Sequence, residues 1–253
     1  MLCGMIEADD RPDAILFADT GGEREYTYRL RDDLNRLLES HGFPTITEVY
    51  ATLAGKPITL EEHSLRLRRM PSVSYGRKSC SIRFKVEPSD TWIGAWAPAQ
   101  AAWAAGEKVT LLVGYNVSEV ARYSKAPRDP DRFAYEYWLV ERRWTREDCR
   151  NAAARFGLYP EKSSCFFCGS ARPAEVRRLR RDAPDLFARG LAMEAAARPF
   201  SGSIVGLGKN FAWSDVEDEA NRQGRMFATV LGGATMEEPA FDCECHEGGD
   251  EDE

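Results

Sequence analysis

The sequence predicts an α/β protein, a parallel doubly wound sheet flanked by helices, and three observations carry that expectation. Two short continuous apolar runs, A-I-L-F-A at 14–18 and V-T-L-L-V-G at 109–114, have the length and composition of strands buried on both faces. Each run leads directly into a polar cluster, Asp19-Thr20-Gly21-Gly22-Glu23 after the first and the stretch from Tyr115 to Arg122 after the second. Open α/β sheets place their ligand sites at such carboxyl ends of strands. Residues 14–50 also read as strand, helix, strand, the unit from which a doubly wound sheet is assembled.

Taken in order, residues 1–7 have the composition of a helix tail. After the strand at 14–18, residues 25–40 predict a helix with Leu30, Leu34, Leu37 and Leu38 along one face. Gly42 stops it, and T-I-T-E-V-Y at 45–50 is the second strand. Residues 51–71, rich in Leu and Arg, read as a helical insertion. Residues 75–88 form a basic loop leading into a helix or strand, with Cys80 among Arg77, Lys78, Arg83 and Lys85. Cations near a thiol lower its pKa, and cations around a loop attract phosphate. An Ala- and Trp-rich helix at 92–105 precedes the third strand at 109–114, and Y-E-Y-W-L-V at 135–140 is the fourth.

Residues 144–173 hold three of the seven cysteines, Cys149, Cys165 and Cys168. Thr145 suits an N-cap, with Glu147 and Asp148 in the first turn where the helix dipole favours carboxylates. Gly157 ends that helix and Pro160 prevents its continuation. The C-x-x-C of Cys165 and Cys168 then lies on a loop opening a second helix. Two thiols so spaced bind a metal or an iron–sulfur cluster, form a redox disulfide, or are a buried structural pair. Residues 173–189 predict a basic helix and 191–198 a short one. The glycine-rich stretch 202–213 lacks the spacing of a phosphate-binding P-loop and reads as turns. A polar helix at 215–223 and a tail containing D-C-E-C-H at 242–246 complete the chain. Residues 1–200 are expected to form the α/β domain and 201–253 a glycine-rich, acidic extension.

With 253 residues, 43% hydrophobic and 30% charged, the composition is that of a soluble globular protein. No apolar run approaches the roughly 18 residues that span a bilayer, and Met1 opens no signal peptide, so a cytoplasmic location is expected. In a reducing cytoplasm cysteines serve metal or redox chemistry more often than a disulfide framework. The formal net charge of −7 is uneven: the C-terminal end is acidic, while R-P-A-E-V-R-R-L-R-R from Arg172 to Arg181 is basic. That helix reads as a solvated face or as a contact for DNA, tRNA or nucleotide phosphate.

In this order, I-L-F-A-D-T-G-G-E, C-S-I-R-F-K-V-E-P, G-Y-N-V-S-E-V-A-R, and W-T-R-E-D-C followed by K-S-S-C-F-F-C give the chain a family resemblance. It resembles the phosphoadenosine phosphosulfate (PAPS) reductase-like branch of the PP-loop, or adenine nucleotide α-hydrolase-like, superfamily, above all the versions carried by bacteriophages and prophages. The resemblance covers residues 14 to about 213. It implies a parallel sheet flanked by helices, with ATP or an adenylyl sulfonucleotide across the strand ends. It further implies that Asp19, Thr20 and Glu23 line the nucleotide pocket and that Glu119 and Arg122 close it. Lys78, Arg83 and Lys85 would face phosphate or sulfate as the catalytic cations. Cys80, Cys165 and Cys168 would hold an iron–sulfur cluster or zinc, with Cys149 either a fourth ligand or a helix-buried thiol. Cys243, Cys245 and His246 would complete a site or stand as an isolated tail motif.

The resemblance also marks departures. The serine- and glycine-rich phosphate loop after a first strand is absent, and residues 1–7 read as the helix that should follow it. The absent strand would sit centrally, between those at 14–18 and 109–114, and its loss would expose two ladders of backbone donors and acceptors. Either the start is assigned too late or the chain is a decayed or repurposed version. The first is favoured, and it implies that in-frame codons upstream of Met1 encode a strand and a Gly/Ser-rich loop, which a stop codon immediately upstream would contradict. Without that loop the chain is expected to bind nucleotide weakly, for want of the amides that cradle phosphate. The tail D-C-E-C-H matches the C-terminal nucleophilic cysteine of true sulfonucleotide reductases only loosely.

Two functions follow as expectations. One is a PAPS reductase-like oxidoreductase or PP-loop transferase, cleaving ATP or a sulfonucleotide with a cysteine-bound centre, in one version transferring sulfur to nucleic acid. The other is a nucleic-acid-binding or accessory protein, in which Cys80, Cys149, Cys165 and Cys168 form a structural zinc site and the basic helix meets phosphate. A bacterial or phage-infected cytoplasm is the implied setting, and a homodimer is compatible with either.

Overall fold

A computed structural model describes residues 1–71, 74, 79–123, 129–161 and 163–230. The chain divides into two units, Met1–Val216 and Glu217–Glu253. The first is a mixed α/β unit whose strands pair in twos.

The chain opens with helix α1 (Leu2–Glu7), in which Cys3, Gly4, Met5 and Ile6 are buried. Strand β1 (Ile15–Asp19), helix α2 (Glu25–Ser40) and strand β2 (Ile46–Tyr50) follow as the expected β-α-β unit, with β1 and β2 parallel from Ile15↔Ile46 to Asp19↔Tyr50. Leu34, Leu37 and Leu38 of α2 pack with Met5, Ile6, Phe43, Trp138 and Leu139. A second parallel pair joins β5 (Val109–Leu112) to β6 (Phe133–Glu136), in register from Val109↔Phe133 to Leu112↔Glu136.

The two pairs share apolar covers. Ile15 and Leu112 belong to the cluster built on Met5 and Trp138, while Leu16, Val109 and Leu111 belong to one built on Ile93, Ala99 and Phe133. Successive strand residues point to opposite faces, so β1 contributes to both covers. No ladder joins β1 to β5 among the described residues. Ile15, Leu16, Phe17 and Ala18 are accordingly only partly buried, unlike the interior of a continuous parallel sheet.

Several elements depart from the sequence reading, each for a local reason. Residues 51–71 are not wholly helical: β3 (Thr52–Leu53) and β4 (Lys56–Pro57) form an antiparallel hairpin before helix α3 (Leu60–Leu67). Its turn places Ala54 and Gly55 at φ of 50° and 77°, the left-handed geometry that matches strand twist. Helix α4 (Ser79–Ser81) runs into a π-helical turn (Ile82–Val86) and then α5 (Glu87–Ala95). The expected helix at 92–105 breaks at Trp96, whose φ and ψ of −78° and 122° are extended, and resumes as α6 (Ala97–Ala104) with a proline in its first turn.

Helix α7 (Val120–Tyr123) follows β5. The expected strand at 135–140 lies earlier, because the apolar run from Trp138 coils into helix α8 (Trp138–Glu141) under the α1 cluster. A short apolar run does not distinguish a strand from a buried helical turn. Helix α9 (Arg146–Arg155) carries the expected cap, a full box in which Thr145 accepts from the Asp148 N–H and Asp148 reaches back to Thr145. The expected helix at 173–189 is two, α10 (Pro173–Asp182) and α11 (Pro184–Ala197), because Pro184 lacks the N–H that continuation requires. Helix α12 (Trp213–Val230) begins in the first unit; within the second unit the described residues, Glu217 to Val230, are the remainder of that helix.

Candidate functional site

At the carboxyl end of β1 the chain turns sharply. The Gly21 N–H donates to Asp19 Oδ1 at 2.8 Å, and the Gly22 N–H donates to Thr20 Oγ1 at 3.2 Å. Gly21 takes φ of +68°, a conformation glycine reaches without penalty. Gly22 is required for space: a Cβ there would stand 2.7 Å from the Phe167 ring and 3.3 Å from Cys165 Cβ. The turn thus lies against the C-x-x-C loop, and the Phe166 N–H donates to the Gly22 carbonyl at 2.7 Å. Thr20 Oγ1 and Cys165 Sγ are 3.1 Å apart, a hydrogen bond across 145 residues of sequence. Thr20 also accepts, through its carbonyl, from the Leu60 N–H at 2.9 Å, so the start of α3 is tied to the same point.

Charge is arranged around this contact. Asp19, Thr20 and Glu23 are all buried. The Glu23 side chain, 2% exposed, meets Lys85 Nζ at 3.4 Å through Oε1, while its Oε2 is buried with no hydrogen-bond partner. The π-helical turn presents Lys85 to that carboxylate. Tyr28, in the first turn of α2, donates its hydroxyl to Asp19 Oδ1 at 3.0 Å. Burial, with the Asp19 carboxylate beside it, pushes the Tyr28 phenol upward, so it stays protonated and remains a donor. Arg31 stacks over Tyr28 and pairs with Glu48 of β2, which also accepts from Tyr50.

The Cys165 thiol is pushed up to about 12, first by burial and then by Glu23 and Cys168; the Thr20 hydrogen bond and Lys85 act in the opposite direction. It is therefore a thiol, not a thiolate, at neutral pH. Cys165 and Cys80 both pack against the core formed by Phe84, Phe166, Phe167 and Trp213. The Cys168 N–H donates to the Cys165 carbonyl at 3.0 Å, closing a tight turn over Phe166 and Phe167.

The structure therefore brings Asp19, Thr20, Glu23, Lys85 and Cys165 together, with Cys168 in the same loop. Cys149 does not join them. It is partly buried and packs against the separate cluster of Met5, Trp138 and Leu139, where burial raises its pKa. Among the described residues no three of His, Cys, Asp and Glu are grouped to hold a metal ion, so the donor set for the implied iron–sulfur or zinc centre is not assembled there. Glu119 caps a turn after β5, accepting from the Asn116 backbone at 3.2 Å and side chain at 3.1 Å. Lys78, the Arg122 side chain, Cys243, Cys245 and His246 lie outside the described residues. Arg83 lies on the π-helical turn with Lys85, and its charge helps depress the pKa of His63, after burial as the main cause.

Tyr28, Gly22 and the Phe166–Phe167 pair are contributors that sequence reasoning did not single out. Tyr28 lies near the start of α2 and reaches back nine positions to Asp19. The basic helix α10 is partly neutralised: Arg178 pairs with Asp182 at 3.2 Å and lies 3.8 Å from Glu161, and Arg181 pairs with Asp182 at 2.8 Å. No helix among the described residues is long and apolar enough to cross a membrane. Comparison with family models, curated proteins and solved structures gives no match to this chain.

Proposed function

We propose that the chain is a PAPS reductase-like enzyme of nucleotide and sulfur chemistry, acting on ATP or an adenylyl sulfonucleotide at the carboxyl end of β1. The observation that carries this reading is the 3.1 Å contact between Thr20 Oγ1 and Cys165 Sγ. It sets sulfur beside a strand-end turn of the kind that α/β proteins use for ligands. In this reading Lys85 exchanges its pairing with Glu23 for the phosphate or sulfate of the ligand and stabilises negative charge developing on the leaving group. Asp19, fixed by Gly21 and Tyr28, orients the polar end of the nucleotide. An iron–sulfur or zinc centre remains part of the family expectation, but no step here passes through it, because the described cysteines do not assemble its ligand set.

The alternative, an accessory protein built on a closed four-cysteine zinc site, is not favoured by the separation of Cys149 from Cys165. The test is calorimetric titration of the full chain with ATP and with PAPS, followed by a sulfite-release assay in the presence of a dithiol. Weak binding, in the high micromolar to millimolar range, that falls about tenfold further in Lys85→Ala supports the reading. Absence of binding to both nucleotides at millimolar concentration overturns it.

A further inference from the structure

We propose that Cys165 and Cys168 form a thiol–disulfide exchange couple that takes a disulfide as its two-electron acceptor, with Thr20 holding the reduced state. The proposal stands independently of the nucleotide that the strand-end turn takes. Its ground is geometric. A backbone hydrogen bond from residue i+3 to residue i defines a turn whose Cα atoms lie within about 7 Å, and a disulfide spans Cα separations of about 4.4–6.8 Å. The Cys168 N–H to Cys165 carbonyl bond makes such a turn. Neither thiol is in a disulfide, each is partly exposed, and Ser163 and Ser170 on either side of the loop are exposed. No third His, Cys, Asp or Glu joins the pair at metal-binding distance among the described residues.

The two thiols differ. Cys165 Sγ is engaged by the Thr20 hydroxyl and packs on the core, whereas Cys168 sits at the far end of the turn. Cys168 is therefore the attacking group. As a thiolate it attacks one sulfur of an incoming disulfide, forms a mixed disulfide and expels the first small thiolate, which takes up the proton that Cys168 lost. Cys165 then attacks Cys168 Sγ, closing the protein disulfide and expelling the second thiolate, which receives the Cys165 proton. Two protein thiols are oxidised and one small disulfide is reduced to two thiols. Closure draws Cys165 Sγ from Thr20 Oγ1, the same oxygen that accepts from the Gly22 N–H, so the oxidation state is transmitted to the turn at the end of β1.

The test equilibrates the full-length protein in glutathione buffers graded from reduced to oxidised, quenches with acid and alkylates the remaining thiols. Mass spectrometry is then applied to the tryptic peptide beginning at Ser163, which contains both cysteines. The expected result is a single transition to an internal disulfide, unchanged in Cys149→Ser and absent in Cys165→Ser and Cys168→Ser. Each of the latter two should carry only a mixed glutathione disulfide on the remaining thiol. Thr20→Val, which removes the hydroxyl at constant shape, should shift the equilibrium toward the disulfide by about three- to tenfold, the effect of one hydrogen bond. Full alkylation of both thiols in the most oxidised buffer overturns the couple. So does pairing of either one with Cys80, or a stoichiometric metal that shields both from glutathione. An unchanged transition in Thr20→Val overturns the part assigned to Thr20. Because no nucleotide is present, failure here is separate from failure to bind ATP or PAPS.

Discussion

Gly22 shows how much of the candidate site depends on single atoms. The 2.7 Å approach of a hypothetical Cβ to the Phe167 ring leaves no room for a methyl group, since Phe167 is fully buried and its ring cannot swing aside. Gly22→Ala should cost about 1–3 kcal/mol, the usual penalty of overpacking, as read by urea denaturation, and should separate Thr20 from Cys165. A second residue-scale prediction concerns pH. The Arg155 guanidinium, bonded to Glu7 at 2.5 and 2.7 Å, holds the Glu7 carboxyl below its ordinary range against the smaller, opposing effect of burial. A depressed folded-state pKa stabilises the fold above the ordinary carboxylate range, and the benefit is lost as pH falls through the depressed value. Glu7→Gln should therefore lose less stability than the parent between pH 5 and pH 3 in thermal melts.

Among elements, the N-terminus of α12 is organised by a carboxylate from another helix. Glu194 of α11, 2% exposed, accepts from the backbone N–H groups of Leu207 at 2.7 Å, Trp213 at 2.8 Å and Ser214 at 3.0 Å. It ties the glycine-rich stretch to α11 and satisfies first-turn donors where the helix dipole favours negative charge. Glu194→Ala leaves these donors without that acceptor and should cost about 2–4 kcal/mol in urea unfolding. The cap of α9 is worth less: Thr145→Ala should cost about 1 kcal/mol by the same measurement.

The contrast between these two elements also explains what was legible. Thr145 and Asp148 act within one turn, so the cap could be read directly from T-R-E-D. Glu194 reaches partners 13 to 20 positions away and looks, in sequence, like a solvated charge on an Ala-rich helix. Likewise β1, α2 and β2 follow local apolar periodicity. The coiling of Trp138 to Glu141 was hidden because a buried turn and a buried strand share one composition.

At the scale of the molecule, two parallel strand pairs share apolar covers with no ladder between them among the described residues, and the candidate site lies at the carboxyl end of one. Asp19, Thr20 and Glu23 were legible because a strand end followed by a polar turn is a local pattern. The adjacency of that turn to Cys165 was not legible, since the contact spans 145 positions. The separation of Cys149 from Cys165 was not legible at all: four cysteines in a sequence do not reveal which apolar cluster each enters.

The central claim is that the strand-end turn and the C-x-x-C loop form one ligand site. The most direct test measures alkylation rates of the individual cysteines in the reduced full-length protein, with and without millimolar PAPS, by mass spectrometry. The account predicts that bound nucleotide slows modification of Cys165 and Cys168 several-fold and leaves Cys149, in its separate cluster, unchanged. Equal rates at Cys165 and Cys168 with and without nucleotide, under conditions where calorimetry shows binding, would contradict it.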